Sequence, residues 1–149
     1  MKIINSSNSN KDRGVVLYQS LTPAQFSAMI GSGWQGFMAG SSEQKLFYPK
    51  LCLAYAEMIA RLFNVAHYSA AYVVQFRLPV FFLERYPIQS VAYEAHREYR
   101  IPIADLAILN RHILGRIEIV STFWDESKHG DTIGVCERIE QRNIKVCAR

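Results

Sequence analysis

The chain has 149 residues, of which 50% are hydrophobic and 12% aromatic, and its formal net charge is +4. This length is typical of one domain, and this hydrophobic content is sufficient for a buried core, so the composition disfavours an intrinsically disordered chain. The longest apolar run, residues 78–83, is too short to cross a bilayer. The three cysteines are scattered and form no CxxC pair, which disfavours both a disulfide framework and a zinc site.

The polar start of the chain predicts a flexible leader over residues 1–13, followed by a single domain over residues 14–149. The leader lacks the apolar segment that signal peptides contain. We therefore expect a cytoplasmic protein with no membrane partner, acting in its own cell or in a target cell after delivery without a cleavable signal.

The 17 basic residues are dispersed, and no run of five or more like charges occurs. A solvated surface explains this distribution best, and an anionic partner or a phosphate-bearing cofactor is the alternative. A pI of about 9.1 keeps a nucleic-acid-binding domain among the hypotheses without favouring it.

The chain opens with signals for a strand and a capped helix. Residues 15–18 are apolar enough for a short buried strand. Thr22, Pro23 and Gln25 match an N-cap, a first helical residue and the return half of a capping box, with Leu21 and Phe26 as the hydrophobic staple. This helix should end near Gly31 or Gly33.

Later segments predict a loop, further helices and further strands. A loop is predicted over residues 31–42, held by Trp34, Phe37 and Met38, and an amphipathic helix over residues 50–63, with Leu51, Tyr55, Met58 and Leu62 on one face. A strand over residues 72–78, ended by Pro79, and a helical turn over residues 80–86 follow. The last predicted elements are strands over residues 90–93 and 97–101, a helix with Pro102 at its first position and Gly115 at its end, and a strand over residues 117–123. Residues 133–146 fit either a strand pair or a helix followed by a strand.

Common catalytic motifs are absent from the sequence, including the phosphate-binding, dinucleotide-binding, zinc-protease and serine-hydrolase signatures. The four histidines are spaced too widely for a recognisable triad or metal cluster, so surface or hydrogen-bonded structural roles are favoured. Glu98 at the start of a short strand is the informative residue, because a carboxylate there can face a cleft while its neighbours pack in the core. The simpler interpretation is an exposed Glu98 paired with Arg97 or Arg100.

The order of several segments resembles the ADP-ribosyltransferase superfamily, particularly its small bacterial toxin and effector domains. The similar segments are Leu17-Tyr18-Gln19-Ser20-Leu21-Thr22 through Gly33, the aromatic Leu46-Phe47-Tyr48, the central strand over residues 72–78, and Glu98-Tyr99-Arg100-Ile101, which looks like the segment that carries the catalytic glutamate. The resemblance covers about residues 14–123 and rests on the ordered combination of short motifs.

This resemblance implies an α+β fold, a split β-sandwich flanked by helices, with NAD bound as substrate between the two sheets. Glu98 would be catalytic and would stabilise the oxocarbenium-like charge that grows as nicotinamide leaves. The implied NAD-binding residues are Tyr18, Gln19, Ser20, Phe47 and Tyr48, with Tyr48 the candidate for stacking on the nicotinamide ring. The implied activity is transfer of ADP-ribose from NAD to a macromolecular acceptor, protein being favoured, or hydrolysis of NAD.

Two positions depart from the family pattern. Gln19 stands where a His or Arg is usual, and an amide cannot supply positive charge. His96 stands two residues before Glu98, where the arginine- and asparagine-modifying branches have Glu or Gln, so arginine modification is disfavoured. Both departures also fit a non-catalytic protein-interaction module on the same fold, which is the alternative hypothesis.

Overall fold

A computed structural model of the chain describes residues 13–126 and the backbone of residues 145–146. Its strands are β1 (Gly14–Leu21), β2 (Leu46–Phe47), β3 (Ala70–Pro79), β4 (Ile88–Ser90), β5 (Arg97–Tyr99), β6 (Ile101–Pro102), β7 (Glu118–Trp124) and β8 (Lys145–Val146). Its α-helices are α1 (Pro23–Gly31), α2 (Leu53–Ile59), α3 (Val65–Tyr68), α4 (Val80–Leu83) and α5 (Leu106–His112). Small sheets and several helices place the protein in the α+β class.

The main sheet has the strand order β1-β3-β7-β8. Strand β3 pairs antiparallel with the whole length of β1 through its residues 72–79 and antiparallel with β7 on its other side, while β8 is parallel to β7. The predicted alternation over residues 72–78 is confirmed, because Val74, Phe76 and Leu78 are buried in the larger core. Pro79 is the last residue of β3, as predicted.

A second pair of segments, residues 46–51 and 97–102, forms an antiparallel arrangement that we call the ribbon. Leu46 pairs with Pro102 and Phe47 with Ile101, and the bridge between Lys50 and Glu98 keeps the same register. Lys50 also bridges to Tyr18 in β1, so the ribbon continues the main sheet beyond its β1 edge. Strand β4 pairs with β5 on the far side.

The sheet separates two apolar clusters. The larger cluster is built from alternate residues of β1 and β3, the buried side of the ribbon and helices α4 and α5, and it includes Leu17, Phe47, Phe76, Tyr99, Ile101 and Leu109. The smaller cluster lies under the α2–α3 segment and consists of Ala56, Ala60, Ala71, Val73 and Phe123, with Tyr18 packed against it. Burial of these apolar side chains is the main driving force for the fold.

Helix α1 has the predicted capping box. The Thr22 hydroxyl accepts from the Gln25 backbone N–H at 3.3 Å, and the Gln25 side chain accepts from the Thr22 N–H at 3.0 Å. The helix ends at Gly31, and Gly33 adopts a φ of +75°, where a side chain would be strained. In the loop that follows, Trp34 and Phe37 pack in the core as predicted, whereas Met38 is exposed, so its predicted holding role is wrong.

The amphipathic helix predicted over residues 50–63 starts later and continues further. It begins at Leu53 and runs through a π-helical turn (Ala60–Asn64) into α3. Ala60, four residues after the buried Ala56, is buried too, while Leu62, expected on the buried face, is 61% exposed. Ser69, with a φ of +67°, ends the helix.

In the second half of the chain most elements match their predictions. The helical turn forms as α4, the strand over residues 117–123 as β7, and the helix before Gly115 as α5. Two boundaries were wrong. The strand predicted over residues 90–93 lies instead at Ile88–Ser90, since residues 91–96 form a turn. Pro102 precedes a 3-10 turn (Ile103–Asp105) instead of opening the α-helix.

Some predictions fall outside the described residues: the leader over residues 1–12, Cys136, Cys147, His129, and most of the segment over residues 133–146. Within the described part, no helix combines the length and apolar character needed to cross a bilayer.

Candidate active site around Glu98

Glu98 lies at the centre of β5 and is buried, with 5% of its surface exposed. The Tyr55 hydroxyl of α2 donates a hydrogen bond to Glu98 Oε1, and Gln89 Nε2 of β4 lies 3.3 Å from Oε2. A buried carboxylate is costly unless polar groups solvate it, and these two donors supply that solvation. The simpler expectation of an exposed Glu98 paired with a neighbouring arginine is therefore wrong.

Lys50 lies directly across the ribbon from Glu98 and is 7% exposed. Its Nζ donates to the Tyr48 carbonyl oxygen at 2.6 Å and lies 5.9 Å from the ring centroids of both Tyr48 and Tyr55. Burial lowers the pKa of Lys50 to about 8, and the nearby Glu98 carboxylate opposes that shift. The site therefore places a lysine that loses its proton more readily than an ordinary lysine beside a buried carboxylate.

Tyr55 covers the carboxylate from the helical side. Its ring stacks on His96 with 4.6 Å between centroids, and 3% of its surface is exposed. Burial raises the pKa of the Tyr55 hydroxyl strongly, and the hydrogen bond to Glu98 and its charge act in the same direction. Tyr55 thus remains a neutral donor throughout the physiological pH range.

Three predicted site residues share the face on which Glu98 lies. Residues paired directly across strands point to the same side of a sheet, so Tyr18, Lys50 and Glu98 form one row. Ser20, two residues beyond Tyr18, lies on this side too, and its Oγ accepts from Asn64 Nδ2 in the π-helical turn at 2.5 Å. Tyr48, two residues before Lys50, is half-buried beside the Lys50 ammonium.

Gln19 and Phe47 lie on the opposite face. Alternation along β1 turns Gln19 away from its neighbours Tyr18 and Ser20, and its Oε1 is buried with no hydrogen-bond partner. Phe47 is 4% exposed and packs against Phe37 and Phe76, with centroid distances of 5.2 and 6.5 Å. Phe47 therefore serves the core, and we leave both residues out of the candidate site.

Sequence reasoning missed Lys50, Tyr55 and Gln89. The sequence places Tyr55 on the apolar face of a predicted helix, and no motif singles out Lys50 or Gln89. Only their register against Glu98 brings them together, and no motif in the sequence encodes that register.

An open groove of about 530 Å³ lies further along the ribbon. It is lined by Leu46, Arg85, Tyr86, Pro87, Arg100, Pro102, Asp105 and Ile108. Tyr86 donates to Asp105 Oδ2 at 2.9 Å, and burial, together with this bond, raises the pKa of Tyr86 to about 12.

Comparison of the chain with protein-family models, with curated proteins and with solved structures found no match. Among the described residues, no group of three or more His, Cys, Asp or Glu side chains is placed to hold a metal ion. What the fold and site define is an α+β protein with a buried carboxylate, a neighbouring lysine and a tyrosine donor on one face of a sheet.

Proposed function

We propose that this protein is an NAD-dependent ADP-ribosyltransferase, or an NAD glycohydrolase of the same type, with Glu98 as its catalytic carboxylate. The observation that carries the proposal is the environment of Glu98. A solvent-facing glutamate would be expected on a short strand, yet this one is buried among polar partners on a single face with Tyr18, Ser20 and Tyr48. Buried ionisable groups held by specific partners are concentrated at functional sites.

The chemistry requires a fixed negative charge beside the ribose carbon that loses nicotinamide. A carboxylate already oriented by Tyr55 and Gln89 needs little reorganisation to stabilise the positive charge that develops there. The same oxygens can accept hydrogen bonds from the ribose hydroxyls, provided that the substrate displaces the Tyr55 hydroxyl from Oε1. The half-buried ring of Tyr48 offers an aromatic face for the nicotinamide.

A split β-sandwich of the ADP-ribosyltransferase type belongs to the same proposal. Support comes from two observations. The β2–β6 pair is a sheet separate from the main sheet, and Lys50 of the ribbon bridges to Tyr18 of β1 and so connects the two sheets. The acceptor of ADP-ribose is a macromolecule in this proposal, protein being favoured.

Nicotinamide release from NAD by the purified full chain tests the proposal. We expect release by the wild type and a loss of at least a hundredfold in Glu98→Gln, which keeps the shape of the side chain and removes its charge. Glu118→Gln is the matched control, because Glu118 is an exposed carboxylate on β7 whose hydrogen bond to Gln75 an amide can reproduce. Equal release by the folded Glu98→Gln variant and the wild type would refute the catalytic role.

A non-catalytic interaction module is the second candidate function. It is favoured by the engagement of both Glu98 oxygens within the protein and by the neutral Gln19 in the first motif. Such a module would show no saturable stabilisation by NAD in a thermal-shift titration, whereas the enzyme would be stabilised as ligand binds the native state.

A further inference from the structure

We infer that Arg85 and Arg100 form the site for the pyrophosphate of NAD, and that the groove beside them receives the adenosine half of the molecule. This inference rests on the proposed function, because it takes Glu98 as the position of the nicotinamide ribose. It supplies the positive charge that Gln19 cannot provide, from a different part of the chain.

The first argument is the register of the ribbon. Leu46 pairs with Pro102 and Lys50 with Glu98 in one continuous register, which places Tyr48 opposite Arg100. Alternation then puts Glu98, Arg100 and Pro102 on one face, while Phe47, Tyr99 and Ile101 on the other face pack in the core. Two residues along a strand span about 7 Å, so Arg100 follows Glu98 at about that separation and Pro102 at about 13 Å.

The second argument is the order of chemical groups along the substrate. In NAD the pyrophosphate follows the nicotinamide ribose, and the adenosine follows the pyrophosphate. Along the ribbon an arginine follows Glu98, and a partly apolar groove follows the arginine. The order of groups in NAD from the nicotinamide ribose therefore matches the order of features along the ribbon from Glu98.

The third argument is the composition of the groove. Its apolar walls come from Leu46, Pro87, Pro102 and Ile108, and its volume of about 530 Å³ lies in the range of small-molecule sites. Walls of this kind suit the flat face of a purine, which gains by leaving water. They do not by themselves distinguish a nucleotide from an apolar side chain, and the charged residues make that distinction.

Arg85 and Arg100 are exposed and both line the groove, which gives it two guanidinium groups against one carboxylate, Asp105. Guanidinium groups pair with phosphate oxygens through two parallel hydrogen bonds. Asp105 already accepts from the Tyr86 hydroxyl at 2.9 Å, and a carboxylate held in this way is suited to ribose hydroxyls or an exocyclic amine, which donate hydrogen bonds.

Binding of ADP and ADP-ribose to the full chain, measured by calorimetry, tests the inference without requiring turnover. Arg100→Gln and Arg85→Gln should each weaken both ligands about tenfold, the usual effect of losing a hydrogen-bonded charge, and salt should weaken wild-type binding more than that of the variants. Arg97→Gln is the matched control, because Arg97 lies in the same segment of the ribbon as Arg100, is exposed and faces the opposite side, beside Tyr99. It should bind like the wild type.

Nicotinamide release separates this inference from the proposed function. Release with an NAD KM raised about tenfold in both groove variants and kcat nearly unchanged supports both ideas. Release with wild-type KM in both variants overturns the pyrophosphate site and leaves the role of Glu98 intact. Arginine-dependent ADP binding without release from the wild type supports the nucleotide site and refutes the enzyme. Failure to bind ADP, with binding of an acidic peptide in its place, overturns the inference.

Discussion

Replacing Tyr55 with Phe tests whether the Tyr55–Glu98 contact stabilises the fold. The substitution removes the hydroxyl that donates to Glu98 Oε1 and keeps the ring that stacks on His96. Both partners are almost fully buried, so water cannot replace the lost donor. Hydrogen bonds to charged groups contribute about 1.5–3 kcal/mol, and the Gln89 contact at 3.3 Å is too long to compensate fully.

We therefore expect Tyr55→Phe to lower the free energy of unfolding by about 2 kcal/mol, which corresponds to a fall in Tm of roughly 4–8 °C for a chain of this size. Urea denaturation followed by circular dichroism measures the change. Tyr86→Phe is the matched control, because its bond to Asp105 is only part-buried and should contribute about 1 kcal/mol. A loss below about 0.5 kcal/mol in Tyr55→Phe would refute the reasoning, since such a value is typical of a surface substitution.

Three further predictions concern the site and its supporting elements. The pKa of Lys50 is about 8 in the folded chain against an ordinary value of 10.5, so the unfolded chain binds more protons between these values and the free energy of unfolding rises with pH. Relative to Lys50→Met, the wild type should gain about 2 kcal/mol between pH 8 and 10 in urea titrations. A constant difference between the two proteins would contradict this. The Asn110 side chain holds the loop after α1 because it hydrogen-bonds both the N–H and the carbonyl of Phe37 at 2.9 Å. Asn110→Ala should therefore lower the free energy of unfolding by about 2 kcal/mol and speed proteolysis of that loop. Unchanged cleavage would refute this role. Thr22→Ala removes the helix cap and should lower the free energy of unfolding, measured by thermal unfolding, by about 1 kcal/mol. Ser27→Ala, at an exposed position within the same helix, should leave it nearly unchanged. Equal losses in the two variants would argue against the capping box.

Elements governed by local signals could be predicted from the sequence. The capping box at Thr22 involves residues three apart, and the alternation of β3 is a property of one strand, so both are readable without knowing the fold. The buried face of the α2–α3 segment was not readable in full. The buried face follows Ala56 and Ala60, which are four residues apart, and leaves Leu62 exposed, while no local sequence rule predicts the π-helical turn.

The candidate site depends on contacts between distant segments. Glu98 was identified by its position in a motif, whereas its partner Tyr55 lies 43 residues earlier and Lys50 reaches it only through the register of the ribbon. Register is fixed by packing of the apolar face, which requires the tertiary structure. The same packing explains why Phe47 contributes to the core although its sequence neighbour Tyr48 lies beside Lys50.

The central claim is that the Glu98 carboxylate stabilises the transition state and contributes little to binding of NAD in its ground state. The most direct test compares Glu98→Gln with the wild type in two measurements on the same folded preparations, the Kd for NAD and the kcat for nicotinamide release. We predict a Kd within about threefold of the wild-type value and a kcat at least a hundredfold lower. Wild-type kcat in the variant, or no binding and no release by the wild type itself, would contradict the account.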